Sequence, residues 1–513
     1  MKVINTLLPI ALGLAASANT NAGDRQDSSL RFNPENFTRK SIVMPNGGKI
    51  SFKAYEGIYY VKNVEDSVYQ TLNIYVPDQL ADLPNVPILF RTYVGGYMAS
   101  TAKSPSPADA TGRALQEGYV VCIPGSRGLN STVVKNGQTI YTGTAPNGLL
   151  DLKAAVRYLR YNDDLIPGNS EFIFTDGTSA GGAMSSLLGA TGNAADYEPY
   201  LKKMGAADVR DDVFASICYC PITDLNHADM EYEWLYGCTN TGVRALSESQ
   251  ITISDELAAL APEYINSLGL KETDGTPLTA DNYKDYIKSF LIASAHRALQ
   301  EGCEIPDTIG FTFYQDKSGP MGGMPRGQRP AMPPMGDDGR QAPSFGPGNM
   351  PRFSKTSDFV TDLDLDKYLS YVATVTPLKT PPAFDQMGVL ISTPSPENKV
   401  FGNENGEAAN FTDFSLRHRL HDDNAKLSND MVKRVAIMNP MNYIGSGKST
   451  VAQNWYIRHG AKDRDTSFLV PINLATKLQN SGQNVDFFLP WNRPHSGDYN
   501  LDDLFRWINS VLK

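Results

Sequence analysis

The chain has 513 residues, 41% of them apolar and 20% charged, with a formal net charge of −10. That length holds one large domain with an elaborate insertion, or two domains, and the composition is that of a globular protein. The acidic balance argues against a nucleic-acid partner, because phosphate binding rests on Lys and Arg.

Lys2 precedes an apolar run over residues 7–16, and small residues follow at Ala16-Ser17-Ala18 and Thr20-Asn21-Ala22. This is the pattern of a secretory signal peptide over residues 1–22, too short to span a bilayer. It predicts export to a periplasm or the medium. No cysteine stands near the cleavage region and no later run is long and apolar enough to span, so no membrane anchor is expected.

Short apolar strands are predicted at residues 72–76 ("LNIYV"), 87–94 ("PILFRTYV") and 118–124 ("GYVVCIP"). Residues 149–162 have helical periodicity, with Leu152, Ala155, Val156 and Leu159 on one face. Further strands follow in "FIFTDGT" from residue 172 and "FASICYC" at 214–220. The alternation resumes with a strand at 454–460, a helix at 466–482, a strand at 485–490 and a closing helix at 501–513. Such alternation implies an α/β fold, a mainly parallel sheet flanked by helices.

The expected organisation is a sheet domain in two parts, residues 23–220 and 451–513, with a lid domain inserted at 221–450. The insert holds helical pieces at 254–261 and 282–300. It also holds a Pro/Gly/Met-rich stretch at 318–352, whose composition predicts a flexible loop.

Five cysteines are present, at 122, 218, 220, 238 and 303. The odd number leaves at least one without an intrachain partner. Cys218 and Cys220 read as buried strand thiols, and a Cys238–Cys303 bridge is open in an exported protein. Cys-x-Cys without a matching His or Cys cluster gives no zinc site, so neither metal nor cofactor is expected.

Chemistry concentrates at Gly177-Thr178-Ser179-Ala180-Gly181, between a strand and a small-residue helix. In α/β-hydrolases this turn is so sharp that it holds the Ser hydroxyl out at the top of the sheet. Ser179 is therefore the candidate nucleophile and the Ala180 N–H an oxyanion donor. A second donor is expected in "RTYVGGYM", from the N–H of Gly96 or Tyr97. "GSRG" at 125–128 reads as structural support. In this fold the acid and then the histidine follow the serine in chain order. His495 lies in the loop between the last strand and the last helix, where the fold delivers its base. Asp463 lies in the loop after the preceding strand, where the acid comes. Asp465 competes for that role, or caps the helix expected at Thr466. His459 reads as a strand-end residue packed under the acid loop.

"GTSAGGAMSSLLGATGN", "RHGAKDRDTSF" and "RPHSGDY", with "LKTPPAFD" (378–385) and "SPENKVFG" (395–402), together resemble the subtype B bacterial tannases. These are tannin acyl hydrolases of the α/β-hydrolase fold with a large lid. The resemblance implies Ser179 as nucleophile, His495 as base and Asp463 as acid. It also implies that Asp465, Lys379 and Glu397 grip the hydroxyls of a galloyl ring. The cysteines that flank the catalytic Ser and His of the fungal-type enzymes are missing: Thr178 and Pro494 stand there.

The expected protein is a secreted serine esterase acting on small galloyl or phenolic esters. The competing readings are a feruloyl or other phenolic-acid esterase, a peptidase of the same fold, and a catalytically dead binding protein. The last loses weight because Ser179 and His495 are both present.

Overall fold

The computed structural model describes residues 28–313, 360–386 and 394–513. The expected signal peptide and the Pro/Gly/Met-rich stretch lie outside the described residues. Thirteen strands are found among those residues: β1 (Thr38–Val43), β2 (Lys49–Tyr59), β3 (Thr71–Pro77), β4 (Ile88–Arg91), β5 (Val120–Pro124), β6 (Thr132–Lys135), β7 (Gln138–Tyr141), β8 (Ile173–Thr178), β9 (Ala215–Tyr219), β10 (Phe311–Phe313), β11 (Val360–Leu363), β12 (Asn454–Arg458) and β13 (Asn484–Phe488). Nine of them form one sheet in the order β1-β2-β3-β5-β4-β8-β9-β12-β13. From β5 to β13 every pairing is parallel. The first three strands add antiparallel pairings at the other edge. β6–β7 and β10–β11 are separate two-stranded ribbons.

The central strands are mostly apolar because both faces are covered. Every residue of β4, β5, β9 and β12 is buried, as parallel strands under helices require. On one face, helices Ala110–Gln116 and Leu501–Val511 bring Leu115, Phe505 and Ile508 onto Val121, Phe174, Ile217 and Tyr456. On the other, helices Asn147–Tyr161, Ala180–Ala190 and Leu469–Asn480 cover Ile88, Phe90, Val120, Cys218 and Ile457. The edge strand β1 carries Arg39 and Lys40 on an exposed surface, charges that discourage pairing with another chain. β1 and β2 went unread in the sequence because their alternation is broken by charges and by the register shift between Tyr55 and Ile58.

Residues 220–453 leave the sheet after β9 and return at β12. They contribute helices Leu225–Tyr236, Glu248–Ser267, Tyr283–Gln300 and Leu365–Val375. Tyr232, Leu235, Leu257, Ile287 and Leu369 of these helices are buried, and Tyr232, Leu235, Ile287 and Leu369 join the apolar cluster under helix Leu469–Asn480. Cys238 and Cys303 are free and exposed, so the bridge left open above is not formed. The helix expected from Thr466 starts only at Leu469 with no side-chain cap, so Asp465 does not cap it.

Candidate active site

β8 runs straight into helix Ala180–Ala190, and Ser179 is the joint. Its φ of 62° and ψ of −124° lie in a region that costs a side-chain residue about 1–3 kcal/mol. The neighbours explain how the turn fits. A Cβ on Gly177 would stand 2.2 Å from the Gly181 carbonyl oxygen, and one on Gly181 would stand 2.8 Å from that of Val94. Only glycines let strand, helix and the β4 loop meet this closely. The result is a half-exposed hydroxyl at the carboxyl end of the sheet.

Around it lie the expected oxyanion donors. Ala180 opens its helix and Gly96 and Tyr97 follow β4, both with positive φ. Among the described residues, the N–H groups of Ala180 and Gly96 meet no backbone acceptor outside the regular elements. Such donors suit an oxygen that gains negative charge, and the helix dipole adds to their effect. "GSRG" is structural as expected: the Arg127 backbone and guanidinium both bind the buried Asp151 carboxylate.

Asp463 and His495 come from the loops after β12 and β13. They lie 32 residues apart, and His495 Nδ1 is 2.8 Å from Asp463 Oδ2. An ionised carboxylate only accepts, so Nδ1 carries the hydrogen and Nε2 keeps its lone pair. Asp463 is wholly buried. Burial alone would raise its carboxyl; the His459 and His495 imidazoles and the Cys220 thiol hold it well below the usual carboxylate range. The Asp465 backbone N–H donates to its other oxygen at 2.9 Å. For His495, burial works downward, but the Asp463 hydrogen bond and the Asp463 and Asp465 charges outweigh it, and the imidazole is shifted up. Among the described residues no hydrogen bond joins Ser179 Oγ to His495; in free enzymes such contacts often tighten only with substrate.

The histidine loop is pinned to the sheet. Arg91 of β4, 5% exposed, grips Asp498 through both guanidinium nitrogens and Asp176 of β8 through one. Burial pushes the Asp176 carboxyl up to about 7 against the Arg91 charge. Gly497 completes the fit, since a Cβ there would strike Thr178 Oγ1 at 2.1 Å. The loop therefore rests on the elbow itself.

Three charged groups converge beside this array. Asp465 Oδ2 lies 3.7 Å from His495 Nδ1, and Arg464 Nη1 pairs with Asp465 Oδ1 at 2.9 Å. Burial lowers the Lys379 ammonium, while the Glu397 and Asp465 charges raise it. Burial raises the Glu397 carboxyl, and the Lys379 charge opposes this. Among the described residues no ion pair closes these three charges onto one another. The Glu397 charge also acts on Tyr97, the residue beside Gly96. Their frames are rigid. The Lys379 N–H donates to Tyr232 Oη at 3.0 Å, and Tyr232 donates in turn to the Arg464 carbonyl at 2.8 Å. Glu397 sits in a short helix closed by a Ser395–Asn398 capping box. Asn398 is tied to Asp385, which also holds Asn410 and Thr412.

Comparison with known proteins follows the same outline. The BD-FAE family model, an α/β-hydrolase family, matches residues 72–265. The solved tannase of Fusobacterium nucleatum is 37% identical with a TM-score of 0.78, covering 95% of this chain and 100% of its own. The chain belongs to the bacterial tannases. The native tannin acyl hydrolase of Lactobacillus plantarum is 34% identical with a TM-score of 0.78, covering 94% of this chain and 99% of its own. A tannin acyl hydrolase solved in complex with ethyl gallate is 35% identical over the same shares, with the same TM-score. No curated protein gave a match. As a member of this family the protein is an ester hydrolase.

Of the residues singled out in the sequence, the structure sets Asp463 and Asp465 against His495, with the Lys379 charge acting on that imidazole and Glu397 on Lys379; Ser179 and Ala180 stand at the end of β8 and Gly96 after β4. Sequence reasoning missed Cys220, whose thiol reaches Asp463 and lies 3.3 Å from the Ser496 carbonyl. The signal was available, because Cys220 directly follows β9, and the carboxyl ends of parallel strands converge on the site of an open α/β sheet. Arg91 ends β4 and carries the same positional signal, but its Asp498 partner lies 407 residues away; Tyr232, on a helix and 232 residues from Arg464, carries none.

Proposed function

We propose that this protein is an exported serine esterase that hydrolyses galloyl esters, releasing gallic acid and an alcohol. The observation that carries the reading is the convergence of Lys379, Glu397 and Asp465 beside the His495–Asp463 pair. Ser179 Oγ attacks the ester carbonyl while its proton passes to His495 Nε2. The carbonyl oxygen, now anionic, is held by the N–H groups of Ala180 and Gly96. Collapse expels the alcohol, which takes the proton from His495 and leaves a galloyl-serine ester. Water then attacks with His495 again as base, freeing the acid and the Ser179 hydroxyl. Asp463 orients the imidazole and stabilises its charged form without taking the proton. Residues 221–450 serve as the lid that supplies Lys379 and Glu397. The sequence over residues 1–22 supports export, and no described helix is long and apolar enough to cross a membrane.

The deciding experiment compares methyl gallate, methyl ferulate and a plain short-chain ester side by side. Methyl gallate should be the best substrate by kcat/KM. Ferulate should be poor, because its methoxy group removes a donor and its longer acyl arm displaces the ring. Ferulate matching gallate would move the protein to the broader phenolic-acid esterases.

The histidine makes a pH prediction. A general base works only when neutral, and His495 is shifted up. Activity should therefore be absent at acid pH and appear as pH rises, with its midpoint above the ordinary histidine value of about 6.5. In Asp463→Asn that midpoint should move down. A midpoint unmoved by Asp463→Asn would break the link between the two residues.

A further inference from the structure

Beside the proposed acid and base stands a third donor, Cys220, that the hydrolysis does not use. A Cys220 sulfur, an Asp463 carboxylate oxygen and a His495 ring nitrogen all lie within 4.8 Å of one another. Thiolate, imidazole and carboxylate form the mixed soft-to-borderline set that divalent zinc and cadmium take. In a tetrahedral zinc site, bonds of roughly 2.0–2.3 Å place the ligand atoms roughly 3.3–3.8 Å from each other. To reach it, the 2.8 Å His495–Asp463 contact opens and the Cys220 sulfur, within 4.8 Å of both, draws in.

A second observation points the same way. His459 is wholly buried, and neither of its ring nitrogens has a hydrogen-bond partner. Its Nδ1 lies 3.6 Å from Asp463 Oδ2, the oxygen that His495 uses. A buried imidazole with both nitrogens unmatched is costly. This one stands against the Asp463 carboxylate through Nδ1, behind the three-donor group. Cys220 and Asp463 are fully buried, so the way in is past His495, whose side chain is 20% exposed.

We propose that Cys220, Asp463 and His495, backed by His459, form an inhibitory site for a soft divalent cation such as Zn²⁺ or Cd²⁺. The cation forms a bond to the Cys220 sulfur, and the thiol proton leaves to solvent. It also takes the lone pair of His495 Nδ1. The single proton of the neutral ring then moves to Nε2, through solvent. Nε2–H cannot accept the Ser179 proton, so the enzyme is off without any change at the serine. The inhibitory part rests on the reading of His495 as base; the binding part does not.

The exposed Cys238 and Cys303 also take soft metals, so both are first replaced by serine. In that protein carrying Ser179→Ala, a Cd²⁺ titration should raise an ultraviolet thiolate-to-cadmium band that saturates near one equivalent, with about one proton released per ion. Adding Cys220→Ser should remove the band. In the protein that keeps Ser179, Cd²⁺ or Zn²⁺ should abolish hydrolysis and a chelator should restore it. The concentration for half-inhibition, relative to each variant's own metal-free rate, should rise about 10–100-fold in Cys220→Ser. No band in the Ser179→Ala protein would overturn the site, whether or not Cys220→Ser folds, and would leave the base assignment untouched. A saturating band with undiminished turnover would instead overturn the role of His495 as base, and the inhibition with it.

Discussion

Ser179→Ala is expected to cut turnover by roughly a million-fold and to leave a folded protein. Loss of the nucleophile or base in comparable serine hydrolases costs about that much, and the remainder reflects binding and oxyanion donors alone. The fold should tolerate the change because the Ser179 side chain makes no side-chain hydrogen bond among the described residues, and Ala must adopt the same strained φ of 62°. A burst of alcohol release should vanish with it. Asp463→Asn should cost less, about 10⁴-fold, because the imidazole persists without its orienting charge. Near-parental turnover in a purified Ser179→Ala protein would end the serine-esterase reading. Loss of the burst in Asp465→Asn rather than in Asp463→Asn would reassign the acid, although Asp463 makes the shorter contact, 2.8 Å against 3.7 Å.

The second large effect is acyl selectivity, with methyl gallate preferred to methyl benzoate by up to roughly 10⁴-fold. A galloyl ring carries three adjacent phenols. Asp465 and Glu397, when ionised, accept from phenols, and Lys379 donates to a phenol oxygen. Burial acts against the charged forms of both Lys379 and Glu397, and each one's charge supports the other. A site that desolvates such groups rejects a ring without hydroxyls, because the groups are then buried unmatched. Protocatechuate esters should fall between benzoate and gallate, or close to gallate. Measuring kcat/KM for gallate and benzoate esters in Asp465→Ala, Lys379→Ala and Glu397→Ala should show the ratio collapsing. A ratio intact in all three would remove the galloyl pocket and leave the proposed triad standing.

Much of this was legible because the local signals are strong. The Gly-x-Ser-x-Gly turn needs small residues for steric reasons that act over a few ångströms, so the motif announces itself. The strands β5, β8, β9, β12 and β13 are legible because buried parallel strands are largely apolar on both faces, and β3, though paired antiparallel, is legible because it is buried from Leu72 onward. His495 and Asp463 were found from the order in which this fold delivers base and acid. Lys379 and Glu397 came only from family resemblance, since nothing local marks a lysine after Leu378 as facing a glutamate after Pro396. The Arg91–Asp498 grip stayed hidden because it joins residues 407 apart. The thiol of Cys220 read as ordinary core, for burial is what strand cysteines normally seek.

The chain order of the sheet also governs how the protein must be made. β9 emerges with its far edge unpaired, and its partner β12 arrives only after residues 220–453 have followed. Until then an apolar "ASICY" edge stands open, the kind of template on which chains aggregate. Closing it requires contacts of long sequence separation, which form slowly. Ser179 precedes residues 220–453, whereas Asp463 and His495 follow them. On the proposed mechanism, a half-folded chain therefore carries the nucleophile without its acid or base, and reactivity is expected only once the sheet closes.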